Sequence, residues 1–166
     1  TGVHIMNNYD DMILNMQADL NRKHERKQQE IENERLAAKA RIDRGRQFLE
    51  DTVMPKLLDA KSAFERNGMD AKIEDNWSKG SLYSAPQIKF QVVGPVPNHF
   101  GGGMSEASGD RAVFIHDGED FKVSVSCRHS FKDKVNFDAN EPGVVEAAIT
   151  KAIESYFTAA APIDYS

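Results

Sequence analysis

The hydrophobic period of this chain changes at Gly68, and that change limits the folds open to it. Before Gly68 apolar residues recur at helical spacing; after it they alternate one by one. In "APQIKFQVVG" Ile88, Phe90 and Val92 oppose Gln87, Lys89 and Gln91, the mark of a strand with one dry and one wet face. The chain therefore has to build a sheet next to a helical segment.

Further strands follow from the same pattern. "DAKIED" places Ala71 and Ile73 on one side. "RAVFIHDGEDFKVSVSCRHSF" reads as a hairpin about Asp117–Asp120. Its first arm, Ala112 to His116, is apolar on both sides and predicts a central strand. Its second arm sets Phe121, Val123, Val125 and Cys127 against Lys122, Ser124, Ser126 and Arg128. The loop length fixes the register of this hairpin, and the pattern alone does not choose it. "KVNFDA" offers a fifth short strand with Val135 and Phe137 inward.

Helices flank these strands. From Asn8 to Glu50 the chain is proline-free and rich in Ala, Leu, Glu, Gln, Lys and Arg, which predicts a long helix with Asp19 and Lys23 as an i, i+4 pair. Met12, Ile13, Met16 and Leu20 form one stripe. Ile31 then stands nearly alone, before Leu36, Ala40 and Ile42. A heptad seam through 13, 16, 20, 27 and 31 meets Lys27 and is poor. "TVMPKLLDAKSAFERNG" is a second helix or a kinked continuation, capped by Thr52, with Pro55 in its first turn and Gly68 as its stop. Val53, Leu57, Ala60 and Phe64 share its apolar face. The last helix begins at Asn140 or Glu141, with Pro142 in its first turn. Its apolar pairs Val144/Val145, Ala148/Ile149, Ala152/Ile153 and Tyr156/Phe157 require a packed neighbour.

Strands grouped between helices predict an α+β fold: a four- or five-stranded, mainly antiparallel sheet with helices on one face, after a long N-terminal helical arm. The expected organisation is a disordered start or expression remnant over 1–7, with Met6 as the native start. A charged arm follows over 8–51, then an α+β domain over 52–160 and a flexible tail over 161–166. No signal peptide or apolar run of the roughly 18 residues needed for a membrane span is visible, and no membrane role is expected. Cys127 is the single cysteine, which rules out a disulfide within one chain and fits a cytoplasmic setting.

Charge is unevenly placed. Between Asp19 and Arg46 nine Lys/Arg face six Asp/Glu, a surplus of three, so the rest of this chain of net charge −5 carries −8. The basic arm suggests nucleic acid as one partner, since Lys and Arg release counterions from phosphates. Interleaved glutamates and the small surplus make that partner a secondary expectation. The sheet shows no aromatics on its wet face for base stacking.

Two stretches invite a chemical reading. "PVPNHFGGGMSEASGDR", Pro95 to Arg111, lacks the Gly-Lys-Ser/Thr of a phosphate loop and leads into a strand instead of a helix. It reads as a long mobile connector with a possible partner contact. Cys127 and His129 share a strand face, and His116 comes from the neighbouring strand. The simplest reading is a core cysteine with an edge histidine. The alternative is a small-ligand or metal site drawing on His99, His116, Cys127 and His129; Cys127, His129 and His116 alone fall short of a four-ligand structural zinc set, and no carboxylate sits at a telling spacing.

No catalytic residue and no cofactor are expected, and the chain leans away from being an enzyme. The leading expectation is an interaction module that oligomerises or docks a protein partner through its helical arm. Its partner-contacting candidates are Ile31, Leu36, Trp77, Tyr83, His99 and Phe100, with Trp77 and Tyr83 suited to an interface by their polar handles.

Overall fold

The structure is a computed structural model that describes residues 8–79, 84–97, 104–126 and 134–160, with the backbone alone at 95–97, 104–110 and 159–160. Helix α1 (Asn8–Phe48) runs through a π-helical turn (Leu49–Val53) into α2 (Met54–Arg66). Strands β1 (Asp70–Asp75), β2 (Gln87–Pro97), β3 (Met104–His116), β4 (Phe121–Ser126) and β5 (Lys134–Phe137) follow, and α3 (Val144–Ala160) closes the described chain. The five strands form one antiparallel sheet in sequence order, which places β3 at its centre, as its apolar sequence requires. The fold is α+β. Among the described residues, no helix is long and apolar enough to cross a membrane.

The chain divides into two compact units, one up to Ala40 and one from Arg41. In the first unit every described side chain of α1 is exposed or nearly so. Its charges pair locally. Asp19 binds Arg22, not Lys23, and Glu32 receives two hydrogen bonds from the Arg35 guanidinium, at 2.7 and 3.0 Å. These contacts give slight local support to a solvated helix.

The second unit holds the core. Ile88, Phe90 and Val92 of β2 are buried, with Ala71, Ala112, Phe114, Val123 and Val125 from the strands beside them. Leu49, Val53, Leu57 and Phe64 cover this face from one helix, and Val144, Val145, Ala148, Ile149, Ala152 and Tyr156 cover it from the other. The alternation of β2 and the apolar ladder of α3 thus meet across one layer. Phe48 and Leu49, both before Thr52, take part: Phe48 packs on His116 and Phe121, and Leu49 is wholly buried.

Of the two expected forms of the join between α1 and α2, the continuation is the one observed, without the expected Thr52 cap. Thr52 makes no cap, because the helix never stops. The Met54 N–H donates to the Leu49 carbonyl, five residues back. Pro55 lacks an N–H, and its ring would strike the carbonyl four residues before it in a regular helix. A π turn just ahead of it takes up one extra residue and relieves that conflict.

Helix α2 ends as the sequence predicts. Gly68 has φ of 72°, its N–H donates to Glu65, and Met69 N–H donates to Phe64 at 2.8 Å. This is a Schellman motif, completed by the apolar Met69 following it.

The start of α3 also differs. Asp138 accepts from the N–H of Asn140 through its side chain and from that of Glu141 through its carbonyl. These bonds hold residues 138–141 in a turn, and Pro142 disfavours a helical Glu141 before it. Gly143, with φ of 75°, then leads in, and its carbonyl accepts the Ala147 N–H at 2.9 Å. Pro142 therefore precedes the helix. At the other end α3 includes Thr158, which donates to the Glu154 carbonyl.

The largest correction concerns Pro95–Arg111. Most of this connector is strand: β2 continues to Pro97 and β3 starts at Met104, with Val93 opposite Ser108 and Pro97 opposite Met104. A register shift between Gln91/Arg111 and Val93/Ser108 marks a bulge at Gly109–Asp110. Pro95 and Pro97 are tolerated because β1 reaches no further than Asp70, opposite Val93. Beyond that point β2 has an open edge, where a missing N–H costs no ladder bond.

Candidate functional site

Two surfaces emerge once the elements are in place. The first is the exposed face of α1. At 100° per residue, Met12, Ile13, Met16 and Leu20 fall within one stripe of the opening turns. They remain 49% to 64% exposed, which is unusual for four large apolar side chains so closely spaced. Ile31 and Leu36, expected as partner contacts, are also about half exposed, at 49% and 50%. Ile31 lies eleven residues after Leu20 and so continues the same side of the helix, whereas Leu36 lies on another side.

The second surface is the sheet face opposite the core. The pairing sets Lys72, Gln91, Arg111, Ser126 and Lys134 side by side, one from each strand. The next row is Glu74, Lys89, Val113, Ser124 and Asn136. A third contains Gln87, Ile115 and Lys122. Lys72 binds Glu74 at 2.6 Å. That hydrogen bond, with the nearby charges of Lys72, Arg111 and Lys79, holds the Glu74 carboxyl below its ordinary range. The Arg111 Nε is buried and, among the described residues, has no hydrogen-bond partner. Gln91 and Ser124, expected to be wet, are nearly buried in the two inner strands of these rows.

The histidine and cysteine candidates are not brought together among the described residues. His99, Phe100, Tyr83, Cys127 and His129 lie outside them. His116 is accounted for structurally: its ring packs on Phe48 with centroids 4.5 Å apart, and its Nδ1 accepts the Gly118 N–H at 2.9 Å. Among the described residues no cluster of three or more His, Cys, Asp or Glu could hold a metal.

Trp77 is half-buried and packs against the core. Its turn is built by two acceptors. Asp75 takes the N–H groups of Trp77 and Ser78 and the Ser78 hydroxyl. Asn76 ties the turn to β2, donating to the Ala85 carbonyl and accepting the Gln87 N–H.

A groove of about 390 Å³ lies between α2 and α3, lined by Ala60, Ala63, Phe64, Met69, Ile153 and Phe157. Its one polar neighbour, Asn67, is already donating to the Ala63 carbonyl. The groove offers apolar contact without the converging polar groups that orient a small ligand.

Ile31 and Leu36 stand out in the sequence as contacts, while the stronger apolar stripe before them carries less weight there. The wet face is legible only strand by strand, which hides the residues that line up across it. Compared with known protein families, curated proteins and solved structures, the chain matches none.

Proposed function

We propose that the chain is a non-enzymatic interaction module that pairs with a second copy of itself through α1. The carrying observation is the stripe Met12, Ile13, Met16 and Leu20, at least 49% exposed throughout. A helix whose apolar side chains find no core gains by laying them against a like stripe. The mixed charges that follow, including the Glu32–Arg35 pair, keep the remaining turns compatible with water.

Magnitudes set the strength of this pairing. Covering the exposed half of each of the four side chains is worth roughly 1 kcal/mol, or roughly 8 kcal/mol over two copies. Association costs on the order of 4–15 kcal/mol. A surplus exists only toward the low end of that cost and is at most about 4 kcal/mol, so the dimer is concentration-dependent and not obligate.

Sedimentation of the full chain over a wide range of concentrations tests this. The average mass should climb from 18.6 kDa toward twice that value. The double variant Ile13→Asp/Met16→Asp should stay at the monomer mass. A wild-type chain that remains monomeric at the highest concentration would remove the reading.

A further inference from the structure

We infer that the polar face of the sheet is a surface for the phosphate backbone of a nucleic-acid duplex. Charge comes first. Lys72, Lys89, Arg111, Lys122 and Lys134 all occupy positions on this face, fixed by their pairing opposite the core. The acidic positions that share this face are Asp70 and Glu74 on the edge strand β1, where Glu74 is bound to Lys72, and Glu106 beyond the bulge of β3, so the five cations outnumber them. A chain of net charge −5 thus gathers a cationic surplus on one sheet face. At physiological salt the Debye length is about 8 Å, so acidic groups on the far side of the core are largely screened from a ligand held here.

Geometry adds a track. Adjacent strands lie about 4.8 Å apart, so the row from Lys72 to Lys134 extends about 19 Å across the sheet. The Lys72 and Lys134 ammonium groups stand exposed at its ends, with the half-buried Arg111 and Ser126 between them; Gln91 is nearly buried. Arg111 stands at its centre with Nε buried and, among the described residues, unpartnered. Its guanidinium carries a permanent positive charge, which favours an anion on this row.

The kind of anion follows from what the face contains. Lys, Arg, Ser, Asn and Gln are the side chains that contact phosphates. The middle of a protein–protein interface is enriched in aromatics and Met and depleted in Lys and Ser, the reverse of the three rows. A nucleic acid therefore suits the face better than an acidic protein. Single strands are held by stacking bases on aromatic rings, and the rows contain none. A duplex keeps its bases stacked and presents phosphates alone. This binding is separate from the α1 surface and does not depend on the chain forming a dimer.

The test is fluorescence anisotropy of a labelled DNA duplex of about 20 base pairs with the full chain, titrated at several salt concentrations. Three to four phosphate contacts predict a log–log salt slope of about −3 to −4. Lys89→Glu/Lys122→Glu should weaken binding at least about tenfold at low salt, through two reversed charges. The milder Lys122→Gln/Lys134→Gln removes two exposed cations and should reduce the slope by about 2 while leaving the circular dichroism unchanged. Arg22→Glu/Lys23→Glu/Lys27→Glu on α1 should leave binding unchanged. No binding at low salt would overturn the assignment, as would a salt slope untouched by the Gln variant. Loss of binding in the α1 variant would move the site to the arm. Tighter binding to the single strand would overturn the duplex. Equal competition by poly-glutamate would point to an acidic polypeptide instead.

Discussion

Gly45 lies so near the His116 carbonyl that a Cβ on it would collide with that oxygen. Glycine inside a helix normally costs about 0.5–1 kcal/mol relative to alanine. Here the close approach reverses the sign. The obstacle is backbone in the centre strand, with Gly118 of the same hairpin only 3.2 Å from the same Cβ position, and neither can swing aside. Gly45→Ala should therefore destabilise the fold by about 1–3 kcal/mol, as overpacking does. Urea unfolding measures it, and a stabilised variant would show that this contact is looser than it looks.

Thr52 provides the opposite case. A threonine that caps a helix loses about 1 kcal/mol on replacement by alanine. Thr52 lies inside the π turn and makes no capping bond. Thr52→Ala should change stability by less than about 0.5 kcal/mol. A cost above that would reinstate the helix break that the sequence suggests.

The core and the surface ion pairs should separate cleanly. Phe90 is fully buried, with its ring centroid 6.3 Å from that of Phe64. Phe90→Ala should cost about 3–5 kcal/mol through lost burial and the cavity left behind. Lys56 binds Glu146 at 2.7 Å, yet both side chains remain about half exposed. Lys56→Ala should cost under about 1 kcal/mol. Chemical denaturation of both variants checks the ordering, which fails if the ion pair proves the costlier loss.

Asp117 contributes to the acid limb of stability through the β3–β4 turn. Its Oδ1 accepts the N–H groups of Asp120 and Glu119, at 2.7 and 2.9 Å, and these bonds hold its carboxyl below the ordinary value of 3.8. A carboxyl with a lowered folded-state pKa stabilises the fold at pH above its unfolded value. That contribution disappears as pH falls through the folded value. Asp117→Ala should thus be less stable than the wild type at neutral pH, and the gap should close in acid. Melting curves across the acid range test it, and a gap that stays constant would remove the charge from the account.

Legibility followed the strength of the local pattern. Ile88, Phe90 and Val92 announce a one-sided strand because a single dry face selects them, and the ladder from Val144 to Tyr156 does the same for α3. Pro95, Pro97 and Gly109 hide the outer half of the β2–β3 hairpin, since each is a breaker in isolation. They are acceptable there only because of an open edge and a bulge, which depend on where β1 begins and how β3 aligns. The π turn was invisible for a similar reason: Thr52 and Pro55 spell a helix start, and only the burial of Leu49 and Val53 on both sides of the join carries the helix through. The cationic rows were half legible. Each strand shows its Lys or Arg, but Arg111 becomes a neighbour of Ser126 and Gln91 only when two registers are fixed together.

The π turn before Pro55 also limits how this segment can change. The helix there carries one residue more than its regular ladder needs. Here the surplus and the proline excuse each other. Deleting Asp51 alone would return the ladder to its regular pitch and drive the Pro55 ring into a carbonyl. Replacing Pro55 alone would leave the surplus residue without its reason. Made together, the two changes should cancel, so the route by which this segment can change is narrow and its order of steps matters.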